Sequence, residues 1–321
     1  MNCFRNERLY SGNILFSHGY CFSAIPMCFI AGAMKNDKED GCRRMKFSVL
    51  MSVYFKENPV YFDLALKSNL IDQTLKPDEF ILVCDGKLTT ELEEVINKYT
   101  ELFPNIFKVY RLAENKGLGT ALNYGLEKCS YEIVARADSD DISDSERFEK
   151  QLNFLESNKD IDVLGAAIDE FDSDVSNPLH IKFLPTESKK IYEFAKFRNP
   201  VNHVTAVFKK NVIEAAGSYK HILYLEDYYL WLRVINNGYK IANLNDVLVH
   251  VRIGNGMVRR RGSRDYISGW EKLSCYMLEN KMINKAEYLR NILAVRIFVY
   301  MPAPIKNFSY KTLLRKNKIG K

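Results

Sequence analysis

An α/β fold, with a doubly wound, mostly parallel sheet flanked by helices, is the class this sequence predicts. Three observations carry it. Apolar runs of strand length at 47–54, 80–84, 107–112 and 133–137 alternate with longer stretches of helical periodicity. The runs are close to continuously apolar rather than alternating, as expected of strands covered on both faces. Each is followed by a polar or acidic residue, so Tyr54, Asp85, Asn115 and Asp138 should converge in one crevice. Open α/β sheets bind their ligands there, outside the carboxyl ends of the strands.

In chain order, Phe47-Ser-Val-Leu-Met-Ser-Val-Tyr54 reads as a buried strand. Pro59 opens a helix expected to run to about Gln73, with apolar positions at Phe62, Leu66, Leu70 and Ile71. The second strand, Phe80-Ile-Leu-Val-Cys84, stops at Asp85-Gly86, a strong turn pair. A helix over 90–102 and a third strand over 107–112 follow. A glycine-opened helix spans 117–129, and a fourth strand over 133–137 delivers Asp138, Asp140 and Asp141. Further on, 145–155 is helical, 161–171 is a strand, and a helix lies near 188–197. The stretch 223–233 is a loop turning into an amphipathic helix.

With 321 residues, 47% hydrophobic and 27% charged, the chain can bury a substantial core. Its seven cysteines show neither CxxC pairs nor zinc spacing with histidine, which indicates a reduced, cytosolic setting. No stretch reaches the roughly 18 apolar residues of a spanning helix. Residues 1–44 lack periodicity and carry four of the seven cysteines, and Pro26 interrupts their one apolar stretch. They are expected to be an N-terminal extension, with the functional chain beginning at Met45.

Charge is unevenly placed. After Glu287 there are eight basic residues and no acid, and removing those eight from the net +6 leaves −2 for the rest. Interleaved with Phe298, Tyr300, Phe308 and Tyr310, this basic tail suits an anionic membrane surface, an ordinary solvated helix being the competing reading. No nucleic-acid-binding motif accompanies the charge, so no nucleic acid partner is expected.

Three carboxylates within Asp138-Ser-Asp-Asp141 repel one another, which folding alone does not call for. They are hard oxygen ligands for a divalent cation that keeps positions open for phosphates. A solvated acidic loop is the alternative. The EF-hand pattern fails, because Ser143 stands where that loop requires glycine. Asp85 could cap a turn or accept a hydrogen bond from a nucleotide base or ribose. Asn115-Lys-Gly-Leu-Gly119 fits neither a phosphate loop nor a dinucleotide fingerprint. Glu226-Asp227 could complement a helix dipole, yet its surroundings, Tyr224 to Trp231, are unusually aromatic for that, and a carboxylate there could act as a general base. His203 and His250 are candidate ligands or satisfied core histidines. Arg259-Arg-Arg261 could meet a diphosphate, for which the guanidinium fork is suited, or be solvated.

Taken in order, several segments resemble the family 2 glycosyltransferases of GT-A fold. They are 47–54, Val83-Cys-Asp-Gly86, Asn115-Lys-Gly-Leu-Gly119, Arg136-Ala-Asp-Ser-Asp-Asp141, Arg147 with Gln151, Asn199-Pro-Val-Asn-His203 and 225–233. The turn Val251-Arg-Ile-Gly-Asn-Gly-Met257 with Arg259-Arg-Arg-Gly262 is similar to the exopolysaccharide and O-antigen branch of amylovoran type. The resemblance implies a nucleotide-sugar donor, UDP-linked, with Ser52, Tyr54, Asp85 and Asn115 around the nucleoside. It makes Asp138-Ser-Asp140 the DxD motif for Mn²⁺ or Mg²⁺, with Arg136 and Arg260 on the donor side. Asp227 becomes the base that takes the acceptor hydroxyl proton in an inverting displacement. Cys84 departs from the family's frequent second Asp, and Val258 from its usual polar residue.

The implied organisation is a transferase domain over 45–255 followed by a basic helical segment over 256–321. The implied acceptor is a saccharide, free or linked to undecaprenyl diphosphate, met at the inner face of the cell membrane by a cytoplasmic, peripheral enzyme. A nucleotidyltransferase would need a glycine-rich or lysine signature that 48–54 lacks, and a silent sugar-nucleotide-binding subunit would not need Asp227.

Overall fold

The computed structural model of the protein describes residues 44–253, 264–302 and 316–317. The chain divides into two units, Met1–Arg44 and Met45–Lys321, and the fold is that of the second. Its strands are β1 (Phe47–Val53), β2 (Glu79–Cys84), β3 (Phe107–Arg111), β4 (Ile133–Ala137), β5 (Ile142–Ser143), β6 (Val163–Phe171), β7 (His180–Lys182), β8 (Val207–Lys209), β9 (Ile241–Arg252) and β10 (Lys316–Asn317). The helices are α1 (Pro59–Leu70), α2 (Thr90–Leu102), α3 (Leu118–Lys128), α4 (Arg147–Ser157), α5 (Ser188–Ala195), α6 (Lys210–Ala215), α7 (Glu226–Asn236), α8 (Arg264–Glu279) and α9 (Lys285–Tyr300).

Strands β3, β2, β1 and β4 lie side by side in that order and run parallel. Beyond β4 the sheet continues through β8, antiparallel to it, and then β6 and β9, which are parallel to each other. Among the described residues, only β5, β7 and β8 run against the common direction, and none of the three exceeds three residues. A three-residue strand is too short to show a period, so the sequence pattern leaves them unmarked.

The two faces of each parallel strand feed separate cores. Phe47, Val49, Met51, Phe80 and Leu82 point to one side, against Phe62, Leu66, Leu92, Ile96, Phe148 and Leu152 of α1, α2 and α4. Leu50, Ile81 and Val83 point to the other, against Leu122, Leu126, Ile213, Leu230 and Trp231 of α3, α6 and α7. This alternation is why the strands are apolar throughout. Helix starts are set locally: Asn58 accepts from the backbone N–H groups of Val60 and Tyr61 ahead of Pro59, and Thr89 accepts from Leu92 N–H. At Gly125 a Cβ would collide with Leu50 and Val83, so α3 lies unusually close to the sheet.

A third cluster joins the C-terminal helices to the body: Leu273, Met277, Met282 and Ile283 pack with Ile222, Leu225, Tyr228 and Leu232 around α7. Phe298, grouped by the sequence pattern with a membrane-facing series, instead turns partly inward against Ile267, Val295 and Val299. Among the described residues, no helix is long and apolar enough to cross a membrane.

Candidate active site

The end of β4 brings Asp138, Asp140 and Asp141 together, their nearest ligand atoms all within 4.8 Å of one another. The carboxylates of Asp138 and Asp141 are held from behind. Arg136, almost wholly buried in β4, pairs with the Asp138 carboxylate. Asp141 is buried and accepts the Arg252 backbone N–H at 2.9 Å. Burial, reinforced by neighbouring Asp140, pushes the Asp141 carboxyl well above its usual range. The Arg252 guanidinium stacks on Tyr61 at 3.8 Å and on Phe171 at 4.5 Å, and its Nε reaches the Asp140 carbonyl at 3.4 Å. Ser139 donates to Glu57 Oε2 at 2.6 Å, and burial first, then Asp140, raises the Glu57 carboxyl.

Arg147 and Gln151, one turn apart on α4, form the floor. Arg147 donates to Ser143 Oγ, to the carbonyls of Arg136 and Val204, and to Gln151 Oε1. Gln151 donates in turn to the Thr205 carbonyl at 2.8 Å. The side chains that the sequence pairs by spacing therefore bolt the β4 end to the short 3-10 turn His203–Thr205. Burial, with Arg136 nearby, pulls the Arg147 guanidinium down to about 9.

At the end of β2, Asp85 is buried and its two carboxylate oxygens accept the backbone N–H groups of Lys116 and Gly117, at 2.7 and 2.9 Å. Asn115 donates its side-chain amide to the Asp85 carbonyl at 3.3 Å. Asp85 thus fixes the turn that starts α3. Gly86 makes this closeness possible: its φ is +88° and a Cβ would meet Asn115 N at 2.7 Å. Ser52 is half-buried near the end of β1, and Tyr54 just beyond it is exposed, its ring 5.9 Å from that of Phe55. Cys84 is buried and its thiol is pushed up to about 11, so it is neutral where a carboxylate would be charged.

Next to this crevice a cavity of about 440 Å³ opens between the first turn of α3, His203 and the segment from Tyr219 to Asp227. Asp227 and Glu226 stand in the first turn of α7, but neither acts as its N-cap; Leu225 occupies that position without a side-chain hydrogen bond. Instead Asn199 donates to Asp227 Oδ2 at 2.6 Å. Burial raises the Glu226 carboxyl, and Asp227 adds to the rise. His203 Nε2 lies 2.9 Å from the Tyr219 hydroxyl; desolvation, with Arg136 nearby, drops the imidazole well below its usual range, leaving it neutral. Tyr224 on the cavity wall has φ +68°, a left-handed backbone that is costly for a bulky side chain and is found where structure serves a site.

The buried Arg136 guanidinium has Tyr219, Asp141, Asp140 and Asp227 all within electrostatic range. His250 lies apart from them, half-buried and 2.8 Å from Asp169. Arg260, with the whole 259–261 run, lies outside the described residues. Sequence reasoning did not assign roles to Asn199, Tyr219, Glu57 or Arg252. Asn199 and His203 share a motif that could have pointed to theirs, whereas Tyr219 and Glu57 carry no local signal.

The sequence profile of Glycosyl transferase family 2 matches residues 48–219. The chain is 41% identical over 268 residues to the amylovoran biosynthesis glycosyltransferase AmsE of Erwinia amylovora, covering 83% of this chain and 98% of that protein. It is 37% identical over 272 residues to the UDP-Gal:alpha-D-GlcNAc-diphosphoundecaprenol beta-1,3-galactosyltransferase of Escherichia coli, covering 84% and 97% respectively. In fold it is similar to S. aureus TarS 1-349, solved in complex with UDP-GlcNAc. That match has a TM-score of 0.59 at 20% identity and covers 84% of this chain and 76% of that one. The GT-A architecture is therefore shared well beyond sequence likeness, and this chain belongs to glycosyl transferase family 2.

Proposed function

We propose that this glycosyltransferase moves a hexosyl group from a UDP-linked sugar to a saccharide carried on undecaprenyl diphosphate, with inversion, in the assembly of a bacterial surface polysaccharide. The observation that carries the reading is the buried Arg136, whose field takes in both the acidic triplet and Asp227. Groups suited to a diphosphate and a group suited to a hydroxyl proton therefore lie around one buried cation. The name of the E. coli relative, with its UDP-galactose donor and diphosphoundecaprenol acceptor, supports the donor and acceptor classes.

Ser52, Tyr54, Asp85 and Asn115 receive the nucleoside. Asp85 does so while holding the 116–117 turn, since each carboxylate oxygen that accepts one N–H keeps a second lone pair. Asp138 and Asp140 supply oxygens to Mn²⁺ or Mg²⁺; the cluster offers only hard carboxylate donors, and its 4.8 Å spread suits one ion. When bound, that ion offsets charge on the departing diphosphate. Arg136 orients Asp138 from beneath, and Arg260 serves the same diphosphate from the 256–262 segment. Asn199 fixes the Asp227 carboxylate at the cavity. The acceptor oxygen bonds to the anomeric carbon, the bond from that carbon to the diphosphate breaks, and the hydroxyl proton passes to Asp227. Residues 45–255 form the transferase domain, the basic segment 256–321 follows it in the chain, and 1–44 take no part. The enzyme works at the cytoplasmic face of the membrane, against anionic lipid.

The test is Asp227→Asn, with turnover and UDP affinity measured separately on a panel of UDP- and GDP-sugars. The expected result is UDP binding near wild type with turnover down by about 10²–10⁴. Undiminished turnover removes Asp227 from the mechanism, and a wild-type protein that binds UDP but turns over no sugar of the panel is a binding subunit without chemistry.

A further inference from the structure

We propose that the outward face of α9 is a docking surface for an anionic lipid bilayer. On α9, Leu289, Leu293, Ile297 and Tyr300 are 65%, 61%, 53% and 68% exposed. At 3.6 residues per turn these four positions fall within about 80° of one another, a continuous apolar stripe along the helix. The opposite face already serves the fold, with Ile292, Val295 and Val299 buried and the last two packed against Ile267. A helix that needed only to close its own core would carry polar residues on the outside.

Cations rim the stripe. Arg290 and Arg296 project on either side of it; Arg290 lies over the Phe197 ring at 5.5 Å, and Arg296 reaches Glu271 at 2.8 Å. Phe197 is itself 43% exposed and extends the apolar patch beyond the helix. Past Glu287 the sequence adds only positive charge, eight bases and no acid. Apolar side chains at the acyl boundary with long cationic side chains at headgroup level is the pattern of a helix lying in a membrane interface. A second copy of the chain fits less well. A two-fold contact through this stripe would set each basic rim against its own equivalent.

The surface is also packed against the helix that carries the site. The α8–α9 pair packs on α7, whose first turn carries Asp227. At Gly269 of α8 there is just room for contact with Leu225 and Ile222, where a Cβ would lie 3.0 and 3.2 Å away. Leu223 and Tyr224, in the same segment, are exposed at the cavity. Docking α9 thus holds the acceptor side of the site at the surface where a lipid-linked saccharide resides, and in this the inference rests on the reading of the function given above.

The full chain is tested by co-sedimentation with vesicles of phosphatidylcholine alone and of phosphatidylcholine with phosphatidylglycerol. Wild type is compared with Leu289→Gln/Leu293→Gln/Ile297→Gln and with Arg290→Gln/Arg296→Gln. The wild type is expected to sediment with the anionic vesicles and to release as salt rises from about 0.05 to about 0.5 M. The triple variant is expected to lose at least about tenfold in partitioning while its melting temperature holds, because the altered side chains are exposed. UDP release with a short-chain, water-soluble diphosphate-linked sugar should be the same in both proteins. Equal vesicle binding by wild type and triple variant, or none by either, overturns the docking surface. A wild-type dimer that the triple variant dissolves overturns it in favour of a second copy. Failure of turnover in all proteins instead strikes the functional reading and leaves the vesicle result standing.

Discussion

Replacing Asp85 separates the turn that it holds in the structure from the nucleoside contact proposed for it. Its oxygens accept the N–H groups of Lys116 and Gly117 at 2.7 and 2.9 Å, in a buried position where α3 begins. Hydrogen bonds to a charged acceptor contribute about 1.5 kcal/mol or more each, so Asp85→Ala should cost about 3 kcal/mol. For a domain of this size that corresponds to a fall in Tm of roughly 6–9 °C. Asp85→Asn keeps one acceptor but turns an NH2 group towards the other backbone N–H, so it should cost about 2 kcal/mol. Both are measured by urea unfolding, and UDP affinity is then titrated calorimetrically well below either melt. With the turn still folded, Asp85→Asn should weaken UDP binding by about tenfold, the value of one lost hydrogen bond to the base. An Asp85→Ala protein melting within about 1 °C of wild type would refute the reasoning, because the two backbone amides would then be satisfied without the carboxylate.

Three further outcomes are expected. Arg147→Met should destabilise by at least about 3 kcal/mol in urea, since four buried acceptors lose their donor; a change under about 1 kcal/mol would show that the floor relaxes freely. Chelation should abolish both transfer and UDP-sugar affinity, with recovery on adding Mn²⁺ or Mg²⁺, and Asp140→Asn should blunt that recovery; transfer that survives chelation argues against a metal at the triplet. The hydrogen bond to Asp169 raises the His250 pKa, so the pair's stabilisation is fully present below about pH 6.5 and fades as pH rises through the raised value. His250→Gln should therefore cost more stability at about pH 6 than at about pH 9, and an equal cost at both would disprove the coupling.

Much of the fold is legible in the sequence because the parallel strands are buried on both sides. A run such as Phe80 to Cys84 needs no partner to identify it, and its end locates Asp85. The acidic triplet is legible for the related reason that charge repulsion at a strand end is conspicuous without a ligand to explain it. Strands β5, β7 and β8 escape notice because two or three residues show no period. Phe298 falls in with the basic aromatic tail for the same kind of reason: composition reports that a helix is apolar, and only packing says which residues face in.

By itself the sequence determined the class of fold and marked the carboxylates at the strand ends and in 226–227 as candidates, since these follow from patterns a few residues long. Tertiary structure decided what each of those residues is attached to. Asn199 reaches Asp227, Arg252 reaches Asp141, and Arg147 joins the end of β4 to the His203 turn, all across long gaps in the chain. Such contacts arise from the packing of whole helices on a sheet, where hydrogen-bond distance is set by three-dimensional register and leaves no trace in local order.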